Sequence, residues 1–288
     1  MKYSDTYSIS LLCKVLNVSR ASFYHFFYYS APIDKTPLIK TILKIFFDSK
    51  MTYGAPRITA VLNYEGLNFS SKTVAKYMFL LGIQSITKSK FPKRKNRMSS
   101  LEKSKIINLI KHLDVIRTNQ VWITDITYIK TKNDGWVYLS SILDLFSRKV
   151  IAWNIENNIT KETVIKTLNE AFIKRNFPKN VIIHSDKGSQ YRSLDYRKLV
   201  IEHHCLYSYT SLNHSCDENA IQESFHASIK KECLYHQTLF NLLDVKRACF
   251  EYIEGFYNSH RIHSALGFVS PIAFESAFLS HIPPSSSV

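Results

Sequence analysis

The sequence predicts an α/β domain, a mixed five-stranded sheet with helices, preceded by all-α helix–turn–helix modules. Three observations predict this order. The stretch 121–129 is rich in β-branched and aromatic residues, as a strand should be. After it strand and helix patterns alternate, whereas before it only helical patterns occur. Residues 1–100 carry 16 Lys and Arg against 4 Asp and Glu, and residues 101–288 carry 22 against 19, so a basic module precedes a nearly neutral one.

The overall composition excludes several protein classes. The 288 residues have no apolar run of membrane-span length, and no signal-peptide core follows the first residues. We therefore expect a soluble, intracellular protein with no membrane partner. Five widely spaced cysteines, with no CxxC pair, argue against a disulfide framework or a compact structural zinc site.

Two helical units are predicted in the basic third. In residues 1–35, Ser8 or Ser10 can start one helix and Ser19 can cap a second, which gives a helix–turn–helix-like segment. Residues 36–87 form the clearer unit. Its three predicted helices cover residues 38–47, 57–64 and 72–81, with Pro56 at a helix start, Ser70 or Ser71 as a cap and Gly82 as a stop.

The last helix of the second unit is a candidate for reading DNA. A helix, a short turn and a second helix form the geometry that places the second helix in a major groove. Lys72 and Lys76 lie one turn apart and share a face of that helix, so we predict that they bind DNA. The same pattern also suits a helical hairpin that only packs.

A basic segment follows the helical units. Its six cations, without an acid among them, are Lys88, Lys90, Lys93, Arg94, Lys95 and Arg97. An extended linker that neutralises DNA phosphates is the functional interpretation, and a solvated charge run is the alternative. We predict that residues 88–117 form a basic linker, completed by a connecting helix over 99–113.

From residue 121 the pattern is that of a sheet. Three strands joined by short turns predict an antiparallel meander, at residues 121–130, 136–144 and 149–157. The remaining predicted elements are a helix at 160–175, a strand at 181–186, a helix at 193–203, a strand at 206–209 and a helix from 217 or 219 to 234. We assign residues 118–280 to one domain with a C-terminal helical extension, and 281–288 to a flexible tail.

The first strand carries a carboxylate, Asp125. Alternation puts Asp125 on one face with Ile123 and Thr127, and both faces look buried, so the strand should be central. A buried carboxylate is costly unless it is paired, hydrogen-bonded or bound to a metal. A lone Asp here is more often a satisfied core residue or a turn former at a strand end.

Two further acids and a lysine give Asp125 a possible function. Asp186 ends a buried strand, and Glu223 lies on the helix after the fifth strand. Carboxylates of this kind suit Mg²⁺ or Mn²⁺, and two such ions can support phosphodiester chemistry. Lys230 lies seven residues after Glu223 and projects from nearly the same face, where it could hold a phosphate.

Two other polar groups leave alternatives open. Asp144 ends the second strand and could bind metal, but we favour a structural role in which Arg148 pairs with it. Four polar residues interrupt the apolar C-terminal segment, and they either contact DNA or cap the core: Tyr257, Asn258, Arg261 and His263.

These motifs together resemble the insertion-sequence transposases of the retroviral-integrase-like DDE class, and within them the second-reading-frame (OrfB-type) products. The resemblance covers nearly the whole chain. It is carried by Trp-Ile-Thr-Asp-Ile-Thr-Tyr-Ile at 122–129, Asp-Leu-Phe-Ser-Arg at 144–148, His-Ser-Asp-Lys-Gly-Ser-Gln-Tyr at 184–191, Asn-Ala-Ile-Gln-Glu-Ser-Phe at 219–225, Lys230, and Phe-Tyr-Asn at 256–258 with Arg261, His263 and Ser-Pro at 270–271.

The resemblance implies a ribonuclease-H-like integrase catalytic core with Asp125, Asp186 and Glu223 as catalytic, metal-binding residues. It implies two Mg²⁺ or Mn²⁺ ions, DNA 3′-end cleavage and strand transfer. Its implied partners are double-stranded DNA at transposon ends and target, further copies of the chain, and an upstream-frame product or fusion. The alternatives are a decayed, DNA-binding relative and a ribonuclease-H-like nuclease.

The chain departs from the family pattern near the third acid. The spacing between Asp186 and Glu223 is 36 residues, where the family usually has 35. Glu218 replaces a usual Asp and is the fallback third ligand. His226 replaces a usual Phe.

Overall fold

The computed structural model describes residues 7–29, 36–88, 108–210 and 219–280. The chain divides into two compact units, Met1–Ile45 and Phe46–Val288. The first unit contains helices α1 (Ile9–Val15) and α2 (Arg20–Tyr29), and α3 (Thr36–Asp48) begins in it. Ser8 caps α1 by accepting from the Leu11 amide, and the Ser19 hydroxyl accepts from the Ser22 amide at 2.9 Å.

The second unit opens with helices α4 (Ala55–Tyr64) and α5 (Ser71–Leu80), followed by a 3-10 turn at Ile86–Lys88. Ser70 caps α5, and Gly82 follows it in the left-handed region. Helix α4 starts two residues earlier than predicted, with Gly54 as N-cap, so Pro56 is its second residue. Proline is tolerated there because the amides of the first turn have no partner within the helix.

The five strands form one mixed sheet. They are β1 (Val121–Lys130), β2 (Trp136–Asp144), β3 (Val150–Glu156), β4 (Ile182–Ser185) and β5 (Leu206–Tyr209). The order across the sheet is β3-β2-β1-β4-β5, with β1, β2 and β3 antiparallel and β4 and β5 parallel to β1. The predicted α/β class, the meander and the central position of β1 are confirmed.

Helices cover the two faces of the sheet differently. Helix α6 (Lys161–Lys174) packs on β2 and β3, and α7 (Leu194–Glu202) packs on α6 and β5. On this face the Trp122 ring lies 5.3 Å from that of Phe172. Helix α8 (Ala220–Glu232) lies against β1 and meets its other face, because it contacts the odd-numbered β1 residue Thr127.

The C-terminal segment returns to the sheet. It comprises a 3-10 turn (Leu234–His236), α9 (Leu242–Tyr252), a π-helical turn (Ile253–Tyr257), a second 3-10 turn (Ser264–Leu266) and α10 (Pro271–Ser280). The buried side chain of Asn258 supports β3, since it accepts from the Val150 amide at 2.9 Å and donates to the Val150 carbonyl at 3.0 Å.

Some predictions fall at the limits of the described residues. The predicted helix over 99–113 is wrong for residues 108–113, which form bends and turns. There the Leu109 and Ile110 amides donate to the side chains of Ser208 and Asn108, not to carbonyls of a helical turn. Residues 89–107, 211–218 and 281–288 lie outside the described part, and with them Lys90, Lys93, Arg94, Lys95, Arg97 and Glu218. No helix among the described residues is long and apolar enough to cross a membrane.

Candidate active site

Asp125 lies in the middle of β1 with its carboxylate on the α8 side. Its side chain is 20% exposed. One oxygen accepts from the Ile126 amide at 2.8 Å, and the other lies 3.6 Å from Nδ1 of His226. Burial, followed by the negative charge of Asp186 and a smaller effect of Glu223, raises its pKa to about 7, while Lys230 acts in the opposite direction.

Asp186 stands directly after β4, which runs parallel to β1. The register pairs Thr124 with Ser185, so the next residues along the two strands are Asp125 and Asp186. An Asp186 oxygen accepts from the Gly188 amide at 2.9 Å. A Cβ at Gly188 would lie only 3.0 Å from that oxygen, so the close turn around the carboxylate favours glycine.

Glu223 lies in the first turn of α8 with an exposed side chain. Its charge acts on Asp125, so three acids from β1, β4 and α8 lie within electrostatic range of one another. Across the part of the chain that the structure describes, no three His, Cys, Asp or Glu side chains converge closely enough to hold a metal ion. The donor set nevertheless fits Mg²⁺, which prefers carboxylate oxygens and retains several waters.

Lys230 reaches the face of β1 that carries Asp125. Its Nζ donates to Thr127 Oγ1 at 2.6 Å and lies 4.7 Å from the centroid of the Tyr128 ring. Burial lowers its pKa, and Asp125 counteracts this shift. The ammonium therefore lies within electrostatic range of the acids, as the seven-residue spacing from Glu223 predicts.

A buried polar network between α8 and β2 lies next to Asp125. His226 Nε2 lies 3.1 Å from Ser141 Oγ on β2, and the Gln222 amide donates to the same serine. Burial, and then the charge of Lys230, lowers the pKa of His226 to about 3, so the ring is neutral at pH 7. The sequence marked His226 only as a departure from the family pattern, because the contact to Ser141 spans 85 residues.

Asp144 has a structural environment. It is fully buried, and its carboxylate accepts from the amides of Asn119, Phe146 and Ser147. Its cationic neighbour is Arg175, at 4.0 Å. The expected pairing with Arg148 is wrong: Arg148 has a left-handed backbone at φ +63°, and its side chain lines a cavity beside Tyr257.

Of the four C-terminal polar residues, Tyr257, Asn258 and Arg261 are buried and His263 is half-buried. Asn258 is hydrogen-bonded to the Val150 backbone on β3. Arg261 forms two hydrogen bonds to Glu232, at 2.8 Å each. The rings of Tyr257 and His263 pack edge to face at 4.9 Å. Of the two predicted alternatives, these contacts favour capping of the core for Tyr257 and Asn258. Arg57 on α4 was overlooked in the sequence, although it is a cation in an otherwise uncharged helix, and it lies 3.8 Å from Glu232.

The predicted DNA contacts outside the core differ in how well they are described. Lys72 and Lys76 are both exposed on α5, whose buried residues are Val74 and Met78. Lys88 ends the 3-10 turn that lies against α8. The role of these residues in DNA binding remains a prediction.

Comparison with known proteins places this geometry in a family. Two family models described as integrase core domains match residues 116–215 and 208–271, and a model described as an HTH-like domain matches residues 32–91. The transposase InsF for insertion sequence IS3A of Escherichia coli (strain K12) is 34% identical over 285 residues, covering 97% of this chain and 98% of the relative. The chain belongs to the insertion-sequence transposase family that includes InsF. The predicted resemblance is thereby confirmed.

Other members of this transposase family and more distant structures also match. The transposase for insertion sequence element IS904 of Lactococcus lactis subsp. lactis (strain IL1403) is 32% identical over 244 residues, covering 84% of this chain and 95% of the relative. The HTLV-2 integrase catalytic core domain in complex with magnesium is 17% identical, with a TM-score of 0.43 over 56% of this chain and 98% of that one. The simian T-cell lymphotropic virus intasome in complex with PP2A regulatory subunit B56 gamma is 15% identical, with a TM-score of 0.48 over 86% and 77%.

Proposed function

We propose that this family member is a DNA transposase that cleaves the 3′ ends of an insertion sequence and joins them to target DNA, in the cytoplasm and with divalent metal. The observation that carries the proposal is the environment of the Asp125 carboxyl, which is largely buried and lies near two other acids. Burial and the charges of Asp186 and Glu223 raise its pKa to about 7, so the fold brings acids together at a cost that bound cations would remove.

Each acid has a proposed role set by its element. Asp125 and Asp186 would hold metal from adjacent parallel strands, and Glu223 would complete the set from α8. Two Mg²⁺ or Mn²⁺ ions would supply activation of the attacking oxygen and stabilisation of the leaving oxygen. Lys230 would position a DNA phosphate beside the acids, and His226 would hold the Asp125 carboxylate in place from the α8 side.

The proposed partners follow from the same reaction. Exposed Lys72 and Lys76 on α5 would contact double-stranded DNA, together with the basic segment at 88–97. Transposition joins two DNA ends to one target, so we propose that several copies of the chain assemble on DNA. An upstream-frame product would act with it or be fused to it.

A strand-transfer assay tests the proposal. Purified protein is incubated with duplex DNA carrying the ends of its own element and a plasmid target, with Mg²⁺ or Mn²⁺. We expect Asp125→Asn, Asp186→Asn and Glu223→Gln each to lower strand transfer at least ~100-fold, because even the loss of a residue that only supports a metal ligand costs 10–100-fold.

Matched controls are available on α7, where Asp195 and Glu202 are exposed. Asp195→Asn and Glu202→Gln should retain wild-type strand transfer. Retention of wild-type activity by Asp125→Asn or Glu223→Gln would show that the triad assignment is wrong. Tight DNA binding without cleavage of any end sequence would instead indicate a DNA-binding relative that has lost catalysis.

A further inference from the structure

A small cavity lies on the side of α8 that faces away from the sheet. Its volume is about 260 Å³. At ~30 Å³ per water molecule in the liquid, it has room for a phosphate group with several waters. The wall along α8 consists of Ala220, Ile221, Ser224, Phe225 and Ser228, and the remaining lining includes Arg57, Arg148, Tyr257, Arg261 and His263.

The lining of this cavity carries surplus positive charge. Arg57, Arg148 and Arg261 are permanently charged guanidinium groups. Arg57 and Arg261 share one carboxylate, Glu232, at 3.8 and 2.8 Å. Burial, together with the positive charges of all three arginines, lowers the pKa of His263 to about 3. This ring is therefore neutral at pH 7.

Arg148 is the unbalanced member of the group. No carboxylate in residues 7–29, 36–88, 108–210 or 219–280 lies within ion-pair distance of its side chain. Burial lowers its pKa, and the opposing influence comes from Tyr257, whose hydroxyl is protonated and therefore uncharged at neutral pH. A partly buried cation without a counter-charge is costly, and an anion in the cavity would compensate for it.

The position of the cavity indicates which anion it takes. Ser224 lines the cavity and follows Glu223 on α8, so an anion bound there would lie near this proposed catalytic acid, with α8 between it and Asp125. The first turn of α8 also lines it, and the unpaired amides of a helix start favour negative charge. Arginines recognise phosphate oxygens by paired hydrogen bonds.

We propose that this cavity binds a phosphate of the DNA backbone beside the first turns of α8, with Arg148 as its principal contact. The proposal rests on the proposed function in one respect, that the substrate is DNA. It assigns DNA binding to Arg148 and Arg57 in addition to Arg261 and His263. Arg57 and Arg261 are held in place by Glu232, whereas the Arg148 side chain has no such carboxylate among the described residues.

DNA binding without metal tests the proposal. Binding of a fluorescent duplex to the full-length protein is measured by anisotropy in EDTA across a salt series. Each phosphate contact contributes about 0.9 to the slope of log K against log salt concentration, which corresponds to roughly eightfold in affinity at ~0.1 M salt. We therefore expect Arg148→Gln to reduce the slope by about 0.9 and to weaken binding roughly eightfold.

The matched control removes the same charge elsewhere. Arg247 on α9 is exposed and pairs with Asp244 at 3.3 Å, so Arg247→Gln should bind DNA within about twofold of wild type. The proposal fails if Arg148→Gln has the same affinity and slope as Arg247→Gln. It fails in the same way if Arg148→Gln lowers only the melting temperature, because Arg148 would then be structural.

Inorganic phosphate separates the two sources of the anion. In one outcome, millimolar phosphate raises the melting temperature of the wild type but not that of Arg148→Gln, and both proteins bind DNA equally well. This outcome would show that the cavity takes free phosphate and would overturn the DNA assignment. The outcome is independent of catalysis, because DNA binding in EDTA requires no metal. Arg148-dependent DNA binding without strand transfer would contradict the proposed function alone.

Discussion

At the residue scale, the position of Asp125 depends on a network that links three elements. His226 and Gln222 on α8 contact Ser141 on β2, and His226 also faces Asp125 on β1. Such buried polar contacts add little net stability when all are made, but an unpaired member costs ~1–3 kcal/mol. The network therefore fixes α8, and with it Glu223, relative to the central strand.

We expect His226→Phe to lower the free energy of unfolding by about 1–3 kcal/mol, because it removes the ring nitrogen that contacts Ser141 Oγ. Combined with Ser141→Ala, the two effects should fall short of their sum by at least ~0.5 kcal/mol in urea denaturation, as coupled contacts do.

The neighbouring Ser140 supplies the control for this cycle. It is fully buried, and its hydroxyl has no hydrogen-bond partner within the described residues. Its side chain points to the opposite face of the sheet. His226→Phe and Ser140→Ala should therefore be additive, and additivity in the Ser141 pair as well would refute the coupling.

At the element scale, α10 is attached to the β2–β3 connection by one carboxylate. Glu275 accepts from Ser147 Oγ at 2.6 Å and from Lys149 Nζ at 3.1 Å, and Arg175 at the end of α6 forms two further hydrogen bonds to it. Although burial opposes it, the hydrogen bonds and charge of Arg175, supported by Ser147 and Lys149, lower the pKa of Glu275. The charged form is thus the one the fold stabilises.

Glu275→Gln should lower the free energy of unfolding by about 3 kcal/mol at pH 7, because it leaves the largely buried Arg175 without its closest anion. The pKa of Glu275 is lower in the folded chain than in the unfolded chain. The stabilisation is therefore fully present above about pH 4.3, the unfolded value, and is lost as pH falls through the folded value.

Urea denaturation of both proteins between pH 7 and pH 3 measures this effect. The difference between wild type and Glu275→Gln should shrink as the acid limit is approached. A difference that stays constant with pH would contradict the assignment of the charge to Glu275. Glu202→Gln, at an exposed pair with Lys198, should change stability by less than ~1 kcal/mol at any pH.

The same scale shows how far the sequence predicts the fold. The helix cap at Ser70 and all ten residues of β1 can be predicted from the sequence because they depend on local backbone chemistry. The predicted partner of Asp144 was wrong because Arg148 is close to it only in sequence. Arg175, at the end of α6, is the cation that lies close to it in space. Distance along the chain does not reveal which cation reaches a buried acid.

The site is predictable to a similar extent. Asp125 and Asp186 could be selected from the sequence because each lies in or directly after a buried strand, but the pairing of β1 with β4 that brings them together is visible only in the structure. The cavity at Arg148 could not be predicted, since its walls come from α4, the β2–β3 turn, α8 and the C-terminal segment. Contacts that join four separate stretches leave no periodic signal in any one of them.

At the scale of the whole molecule, helices α4 and α5 are part of the same unit as the sheet. The Tyr53 hydroxyl accepts from the Ile262 amide at 2.9 Å and lies 3.2 Å from the His260 carbonyl. Four residues later, Arg57 meets Glu232. Helix α4 is thereby fastened to α8 and to the C-terminal segment within the unit Phe46–Val288.

We expect Tyr53→Phe to lower the free energy of unfolding of this unit by about 1–3 kcal/mol, because the Ile262 amide loses its acceptor. Tyr64→Phe is the control, since Tyr64 is 90% exposed. The α4–α5 region and the sheet should melt in one transition in both variants, which fluorescence and far-ultraviolet circular dichroism can compare. Separate transitions in the wild-type protein would show that the two regions are not coupled.

The attachment of Tyr53 and Arg57 has a consequence for how the protein is made. Ribosomes deliver the chain from its N-terminus, and domains generally fold as they emerge. Here Arg57 pairs with Glu232, 175 residues later (232 − 57), and Tyr53 with the Ile262 amide, 209 residues later (262 − 53). Helix α4 therefore lacks these two contacts until residues 232 and 262 have been synthesised. A product that ends before residue 232 would lack both anchors, so its α4 would not be held as it is here.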